Sequence, residues 1–186
     1  MRRSPIGVPV VLLLMAGSGG WSRLEAQAGE DDPCALLTRA EMAAVSGDEP
    51  NKPRPRTHKW PYGGLISMTC TYNTQHDKLG ADVTVERGRT PESIKIYLKT
   101  LMGTAEQTSG SAMKPVEGYA DQAHWGQINQ SSGMLHVVKG TDVLSIRTYG
   151  KGPGAGTLEK TKELMAIVYP RFTKLPAYVP PAEESE

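Results

Sequence analysis

The sequence is poor in the residues that most often identify a chemistry. Its 186 residues include only two cysteines, four histidines and one phenylalanine. No histidines stand at a metal-ligand spacing such as His-x-His or His-Glu-x-x-His. The chain has no Gly-x-Ser-x-Gly nucleophile elbow, and no pair of carboxylates is placed convincingly for acid–base catalysis. We therefore expect neither an enzyme nor a cofactor, although a metal site assembled from distant residues stays open.

The charge of the chain has no marked excess of either sign. The formal net charge is +1, and removing residues 1–28 takes away three basic residues and one acidic residue, which leaves −1. A protein that binds nucleic acid usually presents a basic face to the phosphates. Nothing in this balance favours such a face, so we expect no nucleic-acid partner.

An apolar run of ten residues occurs near the N terminus. Arg2 and Arg3 precede the apolar residues 6–15, and Ala26 and Ala28 form a small-x-small cleavage site. This order is typical of a secretory signal peptide cleaved after Ala28, and a disordered apolar N terminus is the alternative. The run is shorter than the roughly 20 apolar residues that a membrane span needs. We expect an exported protein, periplasmic or extracellular, whose mature chain has no membrane span.

The two cysteines are Cys34 and Cys70, which lie far apart in the sequence. Two cysteines behind an export signal favour a disulfide. Closing this loop would stabilise the fold by about 4 kcal/mol on the chain-entropy model. The alternatives are two buried free thiols or a redox pair, although redox pairs usually lie close together, as in Cys-x-x-Cys.

The first helix is predicted from its capping residues. Thr38 and Glu41 form the pattern Thr-x-x-Glu of a capping box, which predicts a helix over 39–46 that stops at Gly47. The segment 48–59 is rich in proline and basic residues. Because proline cannot donate to a strand ladder, we expect this segment to be an exposed loop.

Apolar and polar residues alternate in several segments, and each such segment predicts a half-buried strand. The segments are 65–72, 81–86, 123–127, 134–138 and 143–149. The alternation places Cys70 on the buried side of the first strand. It places His136 opposite Leu135 and Val137, so we expect His136 to lie at the surface.

Two further helices are predicted. Thr90 and Pro91 begin a helix that we expect to end at Gly103, with residues 104–114 as a polar loop. The apolar face of this helix carries Ile94, Tyr97, Leu98 and Leu101. The last helix begins after Thr157 and is expected to end at Pro170.

The segment 150–156 between the last strand and the last helix is rich in glycine. Phosphate-binding loops occupy this position, but the segment lacks the Gly-Lys-Thr ending of a P-loop. Pro153 also removes an amide that an anion site would use. We expect a flexible connector.

The order of elements, α-β-β-α-β-β-β-α, predicts an α+β fold. Strands joined by short turns favour an antiparallel sheet, here of about five strands, with helices packed on it. We expect three parts in the chain: a signal peptide over 1–28, a single α+β domain over 29–172, and a disordered tail over 173–186 that is rich in proline and acidic residues.

Three short motifs occur in a characteristic order. They are Pro33-Cys34-Ala35-Leu36-Leu37-Thr38, Cys70-Thr71-Tyr72 and Gly118-Tyr119-Ala120-Asp121-Gln122-Ala123-His124-Trp125. This order resembles a family of small exported bacterial envelope domains of unknown function, over about residues 32–172. The resemblance implies an α+β sandwich similar to the PsbP-like fold, with the two cysteines as its bridge. It implies no catalytic residues.

Loops beside the predicted strands carry aromatic and polar residues that could bind a partner. These candidates are Trp60, Tyr62, Tyr119, Asp121 and His124. Tyr72 and Trp125 are expected to fill the core of a chain with one phenylalanine.

Three functions follow as hypotheses. The first is a non-catalytic exported domain that binds a protein or another envelope component through its loops. The alternative is a carrier of a small molecule, with a pocket between a helix and the sheet. The third is a hydrolase of unrecognised type, which would need His124, Asp121 and a serine within hydrogen-bond reach of one another.

Overall fold

The structure is a computed structural model that describes residues 32–59 and 64–179. The predicted signal peptide, Trp60, Tyr62 and residues 180–186 of the predicted tail lie outside the described residues. In the described part of the chain, seven strands form one antiparallel sheet, with three helices packed against it. The α+β class is therefore confirmed, but the sheet is larger than the expected five strands and the order of elements differs.

The described chain begins with a 3-10 turn over Pro33–Ala35. The helices are α1 (Arg39–Ser46), α2 (Pro91–Ser109) and α3 (Leu158–Phe172). The strands are β1 (Arg54–Lys59), β2 (Ile66–Tyr72), β3 (Gly80–Arg87), β4 (Lys114–Pro115), β5 (Gln122–Asn129), β6 (Ser132–Lys139) and β7 (Asp142–Tyr149). Their order in the sheet is β1-β2-β3-β7-β6-β5-β4, so β3 and β7 pair at the centre.

The two strands that the sequence pattern did not predict lie at the two edges of the sheet. β1 falls inside the segment 48–59, which was wrongly expected to be a loop. Every residue of β1 is exposed, so no alternation of buried and exposed positions marks it in the sequence. Pro55 lies opposite Cys70 in the ladder, and an edge strand tolerates proline because one of its sides needs no donors. β4 pairs its two residues with β5 at the other edge.

The predicted capping box, the end of the first helix and the disulfide are confirmed. The Glu41 amide donates to Thr38 Oγ1 at 3.2 Å and the Thr38 amide donates to Glu41 Oε2 at 2.9 Å, which completes the capping box. Gly47 ends α1 with a left-handed φ of 61°. Cys34 and Cys70 form a disulfide with their Cα atoms 5.1 Å apart.

α2 is longer than predicted. It continues through Gly103 to Ser109 and ends at Gly110, whose φ is 69°. A glycine inside a helix costs about 1 kcal/mol relative to alanine. The residues that follow, Ala105 and Glu106 among them, are good helix formers and offset that cost. The expectation of a loop after Gly103 was therefore wrong.

α3 also passes its expected end. Pro170 lies inside the helix, which continues to Phe172. The missing proline amide removes one hydrogen bond near the helix end. Phe172 is almost completely buried in the core, and this burial holds the last turn in place.

The sheet has a helix layer on each face. The face covered by α1 and α3, here called the α3 face, contains the main core. Its buried members include Leu37, Met42, Cys70, Tyr72, Val83, Leu135, Ile146, Leu164, Val168 and Phe172, and Trp125 packs partly buried against them. The opposite face, here called the α2 face, has a smaller cluster: Leu65, Ile94, Leu98, Val138 and Val143.

Candidate ligand-binding cavity

α2 covers only part of its face of the sheet. Ile94 and Leu98 in its first half pack into the smaller core cluster. No residue of α2 beyond Leu98 is buried. The second half of the helix is only partly covered, and together with β5 and β6 it lines a cavity of about 560 Å³.

The cavity is lined mainly by apolar groups. The lining residues are Leu65, Ser93, Ile96, Tyr97, Thr100, Leu101, Thr104, Ala105, Thr108, Met113, Gly126, Ile128, Met134 and His136. Two of the helix hydroxyls are already engaged, because Thr100 donates to the Ile96 carbonyl at 3.0 Å and Thr108 to the Thr104 carbonyl at 2.8 Å. None of these lining residues is an acid, a lysine or an arginine.

Gly126 helps to keep the cavity open on the side of β5. A Cβ atom at this position would lie 3.0 Å from the Met113 Cγ atom. The absence of a side chain therefore leaves space between the strand and Met113 that any larger residue would reduce.

A chain of hydrogen-bonded polar groups lies behind one end of the cavity. Tyr97 Oη donates to Glu86 Oε1 at 2.7 Å, and Ser145 Oγ donates to Glu86 Oε2 at 3.2 Å. His136 Nδ1 lies 2.7 Å from Ser145 Oγ. Glu86, Ser145 and His136 are each at most 5% exposed. The chain thus links β3, β7, β6 and α2 through one buried carboxyl group.

Burial shifts the titration of these groups. Loss of solvent raises the pKa of Glu86 to about 7, against the opposing effect of the hydrogen bonds from Tyr97 and Ser145. Burial and, to a smaller extent, nearby His124 lower the pKa of His136 to about 3. Burial and the adjacent Glu86 raise the pKa of Tyr97. His136 is therefore neutral near pH 7, whereas Glu86 exchanges its proton there.

The expectation that His136 lies at the surface was wrong, since it is 1% exposed. The alternation correctly placed His136 on the opposite side of the strand from Leu135 and Val137. That side is covered by α2 and is not exposed to solvent. His124 lies opposite His136 in the ladder of β5 and β6. Its Nδ1 atom is buried and has no hydrogen-bond partner among residues 32–59 and 64–179.

None of the candidate binding residues that the structure describes lines the cavity. Tyr119 contacts the ring of Tyr169 edge-on, with 5.3 Å between ring centroids. Asp121 Oδ2 accepts a hydrogen bond from the Gly140 amide at 2.6 Å. The structure gives no hydrogen bond between Asp121 and His124, and their role in binding stays a prediction.

The sequence pattern did not single out Glu86, Ser145 and Tyr97 as a group. Glu86 and Ser145 belong to two separate alternating segments, and Tyr97 was placed on the apolar face of a helix. The sequence did contain a usable signal. The apolar face of α2 has to pack against another apolar surface, and the second face of the sheet was the one available. Polar residues on that face were then candidates for burial.

The glycine-rich segment 150–156 connects β7 to α3, and three of its amides donate hydrogen bonds to carbonyl groups of other turns. Lys151 N donates to the Asp77 carbonyl and Gly152 N to the Lys78 carbonyl, both at 2.8 Å. Gly150 N donates to the Ser131 carbonyl at 3.2 Å. These bonds fix the connector to the turn before β3 and to the turn between β5 and β6, and these three amides are not free to hold a phosphate.

Within residues 32–59 and 64–179, no group of three or more histidine, cysteine, aspartate or glutamate side chains is arranged to hold a metal ion. The described helices also include none whose length and apolar character would suffice to cross a bilayer.

Comparisons with known proteins give little guidance. No family model matches the chain, and no curated protein matches it. The extracellular domain of PknH from Mycobacterium tuberculosis is a structure to which it is similar, with a TM-score of 0.46 and 13% sequence identity over 73% of this chain and 94% of that one. A likeness at this level carries no argument about function. The family resemblance described above therefore stays a prediction.

Proposed function

We propose that this protein is an exported domain that binds a small, largely apolar molecule in the cavity between α2 and the sheet, without catalysing a reaction. The observation that carries the proposal is the cavity itself. Its volume of about 560 Å³ lies within the range of roughly 300–1,000 Å³ found for small-molecule sites. Its lining combines apolar side chains with a few polar groups at one end, as such sites usually do.

The exposure of apolar groups around the cavity supports a bound molecule. Ile96 lies at the cavity and is 59% exposed. Leu101, Met113 and Ile128 are only half-buried. Contiguous apolar surface that water must cover is unfavourable, and it often marks a binding site.

The order of groups in the polar chain supports binding rather than catalysis. In a hydrolytic triad the acid holds the histidine, and the histidine takes the proton of the serine. Here Ser145 lies between Glu86 and His136 and donates to the carboxylate. Ser145 also does not line the cavity, so a molecule bound there would not reach its hydroxyl.

The disulfide supports the exported location. Disulfides persist in oxidising compartments and are rare in the cytosol of most organisms. The hypothesis that loops bind an envelope protein stays a prediction, because Trp60 and Tyr62 lie outside the described residues.

The proposal can be tested with an uncharged apolar dye such as N-phenyl-1-naphthylamine, whose fluorescence rises in apolar surroundings. We expect saturable binding by the purified protein. Ala105→Phe would place a ring in the cavity and should weaken dye binding at least tenfold. Gln107→Phe adds the same ring to an exposed position of α2 that does not line the cavity, so it should bind the dye as the unmodified protein does.

Equal dye binding by the two phenylalanine variants would contradict the proposal. A protein that shows no saturable binding would contradict it as well, since the cavity would then be covered by another segment of this chain or by a second copy. Circular dichroism of both variants separates a loss of binding from a loss of fold.

A further inference from the structure

The cavity has one polar end, formed by His136 and Tyr97. Both side chains line the cavity, and both are held by the chain of hydrogen bonds that runs through Glu86 and Ser145. Since Nδ1 of His136 is bound to Ser145, Nε2 is the ring nitrogen that remains for a ligand. Tyr97 donates its only proton to Glu86, so its oxygen can still accept.

The charges around this end disfavour an ionised ligand. None of the described lining residues is an acid, a lysine or an arginine, so they offer an anionic head group no cation to pair with. Glu86 lies behind the polar end and would repel an anion when ionised. Glu86 itself does not line the cavity, so a cationic head group could not reach its oxygens to form a direct ion pair.

The protons of the polar chain can be arranged in two ways. When Glu86 is ionised, Ser145 donates to it and must accept from His136 Nδ1, which leaves Nε2 as an acceptor. When Glu86 is protonated and donates to Ser145, the serine donates to Nδ1, which leaves the proton on Nε2. A hydroxyl group both donates and accepts, so it satisfies Nε2 in either arrangement.

We propose that the cavity selects an uncharged molecule with an apolar body and a hydroxyl group, and that this hydroxyl hydrogen-bonds to His136 Nε2. When Nε2 has no proton, the hydroxyl donates to it. When Nε2 carries the proton, the hydroxyl accepts from it and donates its own proton to the oxygen of Tyr97. The inference rests on the proposed function, because it assigns a head group to the molecule bound in the same cavity.

Displacement of the bound dye tests this selectivity at pH 8, with three probes that share a ten-carbon chain. Decan-1-ol carries the hydroxyl, 1-methoxydecane can only accept a hydrogen bond, and decanoate is ionised. We expect decan-1-ol to displace the dye at concentrations about tenfold lower than either of the others, the effect of one additional hydrogen bond in an apolar site.

Two variants assign that preference to residues. His136→Leu and Tyr97→Phe should still bind the dye. At pH 8, where the hydroxyl donates to Nε2, His136→Leu should reduce the advantage of decan-1-ol over 1-methoxydecane to less than threefold. At pH 6, where Nε2 carries the proton and the hydroxyl donates to Tyr97, Tyr97→Phe should do the same. His58→Leu removes an exposed histidine on β1 and should leave the advantage unchanged. Tyr97→Phe keeps the ring in place, so it remains informative if the leucine variant does not fold.

The inference is overturned if decanoate or 1-methoxydecane displaces the dye as well as decan-1-ol does. It is also overturned if the advantage of decan-1-ol survives in both cavity variants. A failure of the proposed function looks different, because the dye itself would then not bind or would bind Ala105→Phe normally.

Discussion

At the scale of single residues, the unusual feature is a carboxyl group buried between the sheet and a helix. Glu86 is 5% exposed, and no arginine or lysine in the described part of the chain is hydrogen-bonded to it. Its two oxygens are satisfied by hydroxyl groups instead. Burial without a cationic partner favours the neutral acid, which is why its pKa rises to about 7.

Glu86→Gln should change how stability depends on pH. The unfolded chain releases the carboxyl proton near the ordinary pKa of 4.5, whereas the folded protein keeps it until about 7. Between these values the folded state binds more protons, so rising pH favours unfolding of the unmodified protein. We expect the variant to gain stability relative to it over this window, by up to about 3 kcal/mol.

Urea denaturation at intervals from pH 4 to pH 8 measures this difference. The titration of His136 occurs in both proteins and largely cancels when the two are compared. Glu106→Gln, at an exposed position on α2, is the matched control and should give a flat difference. A flat difference for Glu86→Gln as well would mean that the carboxyl group is not held neutral by burial.

At the scale of elements, α2 has a half anchored by buried residues and a half that buries none, here called the unanchored half. Ile94 and Leu98 fix the first half to the sheet, and the second half lines the cavity. The helix passes through Gly103, where an added Cβ would meet nothing within 4 Å. The unanchored half therefore depends more on its own helix propensity than the anchored half does.

Gly103→Ala should stabilise the protein by about 0.5–1 kcal/mol, because alanine loses less backbone entropy in a helix and finds open space here. Thermal or urea denaturation measures the gain. Gly110→Ala gives the matched contrast, since Gly110 ends the helix with a φ of 69° and alanine there should be destabilising. A loss of stability in Gly103→Ala would show that the helix does not continue through this position.

At the scale of the whole molecule, the beginning of the described chain is tied to the sheet. The disulfide joins the first turn to β2, and Tyr72 on the same strand donates a hydrogen bond to the Leu37 carbonyl. Arg171 near the end of α3 binds Glu41 through two hydrogen bonds, at 2.6 and 2.8 Å. The two ends of the domain therefore meet on the α3 face.

Replacing both Cys34 and Cys70 by alanine should lower the free energy of unfolding by about 4 kcal/mol, since the unfolded chain regains the entropy of an open loop of 36 residues. Urea denaturation measures the loss, and the unmodified protein treated with a reducing agent should lose a similar amount. A change below about 1 kcal/mol in both experiments would mean that the bridge contributes little to the fold.

The sequence by itself determined the elements whose signals are local. The capping box at Thr38 and Glu41, the alternation around Cys70 and the cap at Thr157 each depend on neighbours within a few residues, and each prediction is confirmed. Export, the family resemblance and the loop residues Tyr119 and Asp121 stay predictions at the level of function.

Only the tertiary structure decided the rest. β1 forms because β2 offers an open edge, and no buried residue marks it in advance. His136 is buried because a helix from another part of the chain covers its side of the sheet. The cavity and its polar end depend on how α2 packs on the strands. This packing is between distant segments, and a local pattern carries no information about it.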